Sequence, residues 1–189
     1  MAANSVDELM DLLYACRGVW DSPDRSGDAV DLHDHALQTA ALLRRRHPAD
    51  KELQIAGLVH DLGHLLLPGD DAGHGDRAAD AVHPLLGDRV ARLVRLHVPA
   101  KRYLAAMEPW HTLSEQSART LRLQGGAMTR AEVEAFVLDP LAEDAVRLRR
   151  ADDEGRTAGM DAGIMEDWRP VLESVAAGHH HVGVRSRYQ

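Results

Sequence analysis

The chain has 189 residues, which suits one domain with a core large enough to need no disulfide. Hydrophobic residues make up 44% of it and aromatic residues only 4%, and this alanine- and leucine-rich mixture favours helices. The net charge of −8, with basic residues interleaved among acids, argues against nucleic acid as a partner. Cys16 is the single cysteine, no apolar run reaches transmembrane length, and the N-terminus lacks signal-peptide features. We therefore expect a cytoplasmic protein that binds no membrane.

Apolar residues at helical spacing predict a series of helices and no strand. The predicted helices cover residues 6–16, 31–46, 50–66, 74–85, 87–98, 113–124, 129–136, 140–155 and 168–177. Several have clear ends: Ser5 caps the first, and Thr129 with Glu132 forms a capping box. Pro99 predicts a kink or break just after His97. We expect an all-α bundle of about five core helices plus peripheral helices, forming one domain over 1–178 (core 27–155) with a flexible tail over 179–189.

The third predicted helix carries an unusual polar cluster on an apolar background. Buried helices seldom contain two histidines and an aspartate within five residues, because an unpaired buried charge is costly. A metal ion would remove that cost. In one continuous helix His60 and His64 lie on the same face, and His60 with Asp61 can hold one metal. The second Asp61 oxygen can then reach another metal.

Further histidines and carboxylates lie on, or at the ends of, other predicted helices. The candidate ligands are His35, His60, Asp61, His74, His97, Asp152 and Asp153. Imidazole and carboxylate without thiolate suit iron, manganese or zinc. Because this set exceeds the roughly four ligands that one metal takes from a protein, two metals bridged by a carboxylate fit it better.

The pattern of these residues resembles the HD-domain superfamily. Within it, the chain is most similar to the mixed-valent diiron oxygenases, the group of myo-inositol oxygenase and the PhnZ-type phosphonate dioxygenases. The matching segments are residues 35–38, 58–66, 97–104, 113–117, 124–128 and 148–152. Together they extend over about residues 27–155, and the segments 97–104 and 124–128 are the more specific ones.

The resemblance implies a ligand set for two irons. His35, His60 and Asp152 would hold one iron, His74 and His97 the other, and Asp61 would bridge them. Two alternatives remain open from the sequence, because Asp153 adjoins Asp152 and His83 could replace His74. The implied cofactors are Fe(II)/Fe(III) with dioxygen as co-substrate.

The resemblance also implies a substrate site. His64 would contact the substrate headgroup, and Ser117 would donate a hydrogen bond to the phosphonate. Lys101 and Arg149 would bind phosphonate oxygens through charge-assisted hydrogen bonds. Asp61, His64 and Lys101 are the expected catalytic residues. Family members that act on aminoethyl substrates have a tyrosine and a glutamate where spacing places Arg25 and Asp28. Either this loop aligns differently or the substrate is different, and the second option suggests a smaller or non-amine 1-hydroxyphosphonate such as hydroxymethylphosphonate.

The expected activity is therefore oxygen-dependent cleavage of the carbon–phosphorus bond of a small 1-hydroxyphosphonate to phosphate and a carboxylate. The alternative is a metal-dependent HD-type phosphohydrolase, in which metal-bound hydroxide attacks a phosphoester. A third hypothesis is a non-enzymatic metal-binding domain, which the complete ligand set disfavours. We expect a small-molecule phosphonate substrate and a monomer or small homo-oligomer.

Overall fold

The computed structural model describes residues 2–21, 29–108 and 115–185, without the side chains of residues 115, 116 and 180–185. Across these ranges the chain forms helices and no strand, which confirms the predicted all-α class. The helices are α1 (Val6–Ala15), α2 (Leu32–Arg46), α3 (Lys51–Val59), α4 (Leu62–Leu66), α5 (His74–Met107), α6 (Glu115–Leu123), α7 (Arg130–Phe136), α8 (Ala142–Glu154) and α9 (Arg169–Arg185), with a 3-10 turn at Met165–Trp168.

Helices α2, α3, α5 and α8 pack on one another around the core, α4 packs on α5, and α1 and α9 cover the outside. Side-chain caps begin two of the central helices: Asp31 accepts from the Asp34 amide and Asp50 from the Leu53 amide, at 2.9 and 3.0 Å. Helix α3 lies close to α2 because Gly57 has no side chain. A Cβ atom there would be 2.5 Å from Leu43 Cδ1.

The predicted continuous helix over 50–66 is wrong, because the chain turns at His60 and Asp61 between α3 and α4. Asp61 has φ −99° and ψ 7°, outside the helical region. The same-face relation predicted for His60 and His64 therefore does not hold. The turn matters because it directs the Asp61 carboxylate into the interior instead of along a helix face.

The backbone stays helical through Pro99, so of the predicted kink or break after His97 the break is wrong. Helix α5 is kinked at Gly87 (φ 82°, ψ −180°), where the sequence predicted the boundary between the helices over 74–85 and 87–98. An internal proline removes one helical hydrogen bond. Packing against α3, α4 and α8 outweighs that local loss.

Helix α9 extends the helical backbone beyond residue 178, where we expected a flexible tail to begin. His179 lies against α5, since a Cβ added to Gly87 would be 2.5 Å from His179 Nδ1. Residues 186–189 lie outside the described ranges. In the part of the chain that the structure describes, no helix combines the length and the apolar character needed to span a bilayer.

Candidate metal centre

Four buried histidines share one arrangement, in which Nδ1 hydrogen-bonds to a main-chain carbonyl. The carbonyls belong to Gly155 for His35, Gly57 for His60, Asp71 for His74 and Val94 for His97, at 2.7, 2.9, 2.8 and 2.5 Å. A carbonyl only accepts, so Nδ1 carries the proton in each ring. In the neutral form of each ring Nε2 is then a lone-pair donor, which is how metal-binding histidines are commonly oriented.

Two of these rings form a first cluster with two carboxylates. His35 Nε2 lies 3.2 Å from Asp152 Oδ1 and 3.3 Å from Asp61 Oδ2. His60 Nε2 lies 3.3 Å from His35 Nε2 and 3.4 Å from Asp61 Oδ2. All four ligand atoms lie within 4.8 Å of one another and could hold one metal ion.

The other oxygen of Asp61 faces a second cluster. Asp61 Oδ1 is 3.4 Å from His74 Nε2 and 3.7 Å from His97 Nε2, and the two Nε2 atoms are 2.9 Å apart. Asp61 thus contributes one oxygen to each cluster. The turn between α3 and α4 places it between His35 of α2 and the two histidines of α5.

The chemistry of these atoms favours a bound cation. Two unprotonated imidazole nitrogens facing each other repel, and the carboxylates of Asp61 and Asp152 belong to residues only 7% and 1% exposed. Asp152 Oδ1 accepts no hydrogen bond from the described residues. Ligands bound about 2.1 Å from one metal lie roughly 3.0–3.4 Å apart, close to most of the separations found here. The donor set therefore fits two metals sharing Asp61.

Charges around the clusters favour ionised carboxylates. Burial alone raises the pKa of Asp61. Without a metal, the charge of His60 and hydrogen bonds from His35 and His74, protonated at Nε2, hold that pKa well below its usual range. For Asp152, burial is likewise overcome, mainly by Arg149, and its pKa is also well below normal. Arg149 Nη1 donates to Asp152 Oδ2 at 2.6 Å, and Nη2 donates to Asp153. Arg149 thereby fixes the orientation of the Asp152 carboxylate.

A narrow cavity of about 20 Å³ adjoins the clusters. Lys101 Nζ donates a 2.5 Å hydrogen bond to Thr120 Oγ1, which donates to the Ser117 carbonyl at 3.3 Å. Burial, helped by Arg149, lowers the pKa of Lys101 to about 7. Lys101 and Arg149 both line this cavity, so two basic side chains adjoin the His/Asp clusters.

The His64 ring stacks on His74, with ring centroids 4.2 Å apart and an interplanar angle of 18°. Its Nδ1 lies 3.9 Å from Asp71 Oδ1. Burial, together with the neighbouring His74, lowers the pKa of His64 to about 4, so the ring is neutral near pH 7. His64 therefore borders the cavity as a neutral hydrogen-bonding group.

The structure brings the six residues of the predicted ligand set together and separates the two alternatives from it. His83 is half-exposed and pairs with Asp88 at 2.6 Å. Asp153 pairs with Arg149 instead of facing the histidines. The remaining predicted substrate residues, Arg25 and Asp28, lie outside the described ranges.

Sequence reasoning missed several cavity residues. Thr120 follows Ser117 by three residues on α6, so helical spacing could have indicated it. Arg156 lies just beyond the end of α8 and gave no such signal. Asp21 and Gln124 gave none either. Gln124 Nε2 donates to the Asp71 carbonyl at 3.0 Å, the same carbonyl that accepts from His74, and so supports that ring's orientation.

A helical bundle that buries two His/Asp clusters around a shared aspartate defines a metal-dependent enzyme. The family described as myo-inositol oxygenase matches residues 4–82, a range that contains His35, His60, Asp61 and His74. A hydroxymethylphosphonate dioxygenase of Gimesia maris is 35% identical, with 78% of each chain covered. The chain belongs to the PhnZ-type family of oxygenases related to myo-inositol oxygenase, as the sequence predicted.

Two further relatives match most of the chain at lower identity. A [1-hydroxy-2-(trimethylamino)ethyl]phosphonate dioxygenase (glycine-betaine-forming) of Leisingera caerulea is 29% identical, over 81% of this chain and 83% of the relative. An uncharacterized protein of Acanthamoeba polyphaga mimivirus, L432, is also 29% identical, over 79% of this chain and 73% of its own. The similarity to dioxygenases extends over most of the chain.

Proposed function

We propose that the protein uses dioxygen to cleave the carbon–phosphorus bond of a small 1-hydroxyphosphonate. The observation that carries this proposal is a pair of His/Asp clusters that share the Asp61 carboxylate, directly beside a small cavity lined by Lys101 and Arg149. For hydroxymethylphosphonate, the substrate named for the Gimesia maris relative, HOCH₂PO₃²⁻ and O₂ would give HCOO⁻ and H₂PO₄⁻. Atoms and charge balance without a further reductant.

The metals of this proposal are two irons in the Fe(II)/Fe(III) state. His35, His60 and Asp152 would hold one iron, His74 and His97 the other, and Asp61 both. When bound, the iron pair would supply dioxygen activation and a binding point for the substrate hydroxyl. The carbonyl-bound Nδ1 atoms keep the four rings oriented for this purpose.

The phosphonate would bind at the wall formed by Lys101 and Thr120. An ammonium group hydrogen-bonded to a hydroxyl offers charge-assisted donors to a phosphonate oxygen, and burial strengthens such contacts. Ser117 supports this wall through its carbonyl, which accepts from Thr120. We expect Arg149 to act mainly by orienting Asp152 and by adding positive charge, since both of its Nη atoms bind carboxylates.

His64, which also lines the cavity, would orient the phosphonate headgroup. A neutral imidazole offers one donor and one acceptor, and stacking on His74 restricts its rotation. It can donate to a phosphonate oxygen without adding charge beside the irons. The enzyme would work in the cytoplasm, where the buried thiol of Cys16 stays reduced.

The test is phosphate release from hydroxymethylphosphonate by iron-loaded protein, in air and under strict anaerobiosis. We expect release only with dioxygen, together with formate in equal amount. A simple phosphoester, p-nitrophenyl phosphate, serves as the control for the phosphohydrolase alternative. Phosphate release from the ester, independent of dioxygen, would overturn the proposal while leaving the metal ligands in place.

A further inference from the structure

An ion pair of two residues outside the predicted ligand set forms part of the cavity wall. Arg156 Nη1 lies 3.2 Å from Asp21 Oδ2, and both residues line the cavity shared by His64 and Lys101. The side chains are 19% and 7% exposed. Asp21 Oδ1 accepts no hydrogen bond from any described residue, so a buried carboxylate oxygen borders the cavity.

The metal clusters themselves fix the position of Arg156. It follows Gly155, whose carbonyl accepts the hydrogen bond from His35 Nδ1. Its Nη2 lies 3.6 Å from Asp152 Oδ1 and 3.8 Å from Asp61 Oδ2. Three carboxylates thus surround one guanidinium at the first cluster, and moving it costs several charge contacts at once.

We propose that the Asp21–Arg156 pair determines substrate specificity by restricting the enzyme to a one-carbon 1-hydroxyphosphonate. This inference rests on the proposed function. With the phosphonate at Lys101 and the hydroxyl at the metals, a further carbon on C1 needs space at the remaining wall. The pair fills this wall and several charge contacts hold it in place, so an added carbon must displace one of its side chains.

The expected preference rests on the size of the added carbon alone. A single methylene changes enzymatic discrimination by about 10–200-fold. We therefore expect the native enzyme to prefer hydroxymethylphosphonate over 1-hydroxyethylphosphonate by about 100-fold in kcat/KM.

The experiment compares kcat/KM for these two phosphonates in the full-length iron-loaded protein and in the variants Asp21→Ala and Arg156→Ala. Each variant opens the wall, and we expect the preference to fall by at least about tenfold. Arg95→Ala is the control, because Arg95 forms an exposed pair with Asp76 and Asp80 and should leave the preference unchanged. Iron content and anaerobic binding of both phosphonates are measured in parallel.

The outcomes separate this inference from the proposed function. An unchanged preference in iron-replete Asp21→Ala overturns the role of the pair, even if the native enzyme cleaves hydroxymethylphosphonate. If Arg156→Ala loses iron, Asp21→Ala decides alone, since its described ion-pair partner is Arg156 and not a metal ligand. If the native enzyme cleaves neither phosphonate, the proposed function fails. Anaerobic binding of the two phosphonates to the native protein and the variants then still shows whether the Asp21–Arg156 pair restricts substrate size.

Discussion

Asp61 is the residue on which both metal clusters depend, because each of its oxygens faces a different pair of histidines. Asn at this position keeps the volume but offers a neutral amide in place of a bridging carboxylate. We expect Asp61→Asn to lose both metals on purification, as measured by metal analysis of the isolated protein. Asp88→Asn, in an exposed pair with His83, is the control. Retention of two metal ions by Asp61→Asn would contradict the bridge.

Lys101 should affect substrate binding far more than metal binding. It lies one helical turn from His97 but contacts Thr120 instead of the clusters. Losing a hydrogen bond from a charged group costs about 1.5–3 kcal/mol, so Lys101→Met should raise KM by roughly 10–100-fold. Lys51→Met, at a surface contact with Ser174, should change nothing. Equal loss of iron and of substrate affinity in Lys101→Met would refute this role.

The lowered pKa of Lys101 gives a pH dependence with a definite sign. Its pKa of about 7 means that the free enzyme carries this charge below that value and loses it as pH rises. Phosphonate affinity should therefore weaken as pH rises through this range. Lys101→Arg keeps its charge at all these pH values. The substrate's own titration affects both proteins equally, so it cancels in the ratio of native to Lys101→Arg affinity. We expect this ratio to fall as pH rises, and parallel pH profiles of the two affinities would contradict the prediction.

At the level of the helices, Gly63 lets α4 approach α5. A Cβ atom there would lie 2.0 Å from the carbonyl oxygen of His74, a metal-cluster residue. Gly63→Ala should therefore push the helices apart, lower stability by about 1–3 kcal/mol and reduce metal content. Gly178→Ala, with nothing within 4 Å, should be neutral or stabilise α9 by up to about 1 kcal/mol. Thermal unfolding and metal analysis of the two variants check this prediction. Equal melting temperatures and equal metal contents would contradict the role given to Gly63.

The helices show what local sequence can predict. Periodicity predicted α2, α3 and α8 because their apolar faces repeat along the chain, and Thr129 with Glu132 predicted the start of α7 through a capping box that the structure confirms. The turn at Asp61 and the continuity of α5 through Pro99 depend instead on contacts between helices. Local propensity does not contain that information.

In the candidate site, too, some residues could be predicted from the local sequence and others could not. Histidine and aspartate types in an apolar context indicated the residues that the clusters contain, because buried charges need a partner. Arg156 and Asp21 were not foreseen, since their pairing joins parts of the chain separated by 135 positions. The carbonyl partners of the four histidines also follow only from the packed structure.

Over the whole molecule, the clusters join helices that are distant in sequence. Their residues come from α2, the turn after α3, α5 and α8. Metal bound only to the folded state stabilises it by about 4 kcal/mol at 1,000 times the dissociation constant. Chelation should therefore lower the melting temperature of the native protein and leave that of Asp61→Asn unchanged. A native protein insensitive to chelation would contradict this coupling.

The origin of the product oxygen atoms tests the central claim most directly. Iron-loaded protein is given hydroxymethylphosphonate under isotopically labelled dioxygen in unlabelled water, and formate and phosphate are analysed by mass spectrometry. Oxidative cleavage predicts that label from dioxygen enters the products and that one dioxygen is consumed for each phosphate released. Phosphate formed with oxygen from water alone, and without dioxygen consumption, would contradict it.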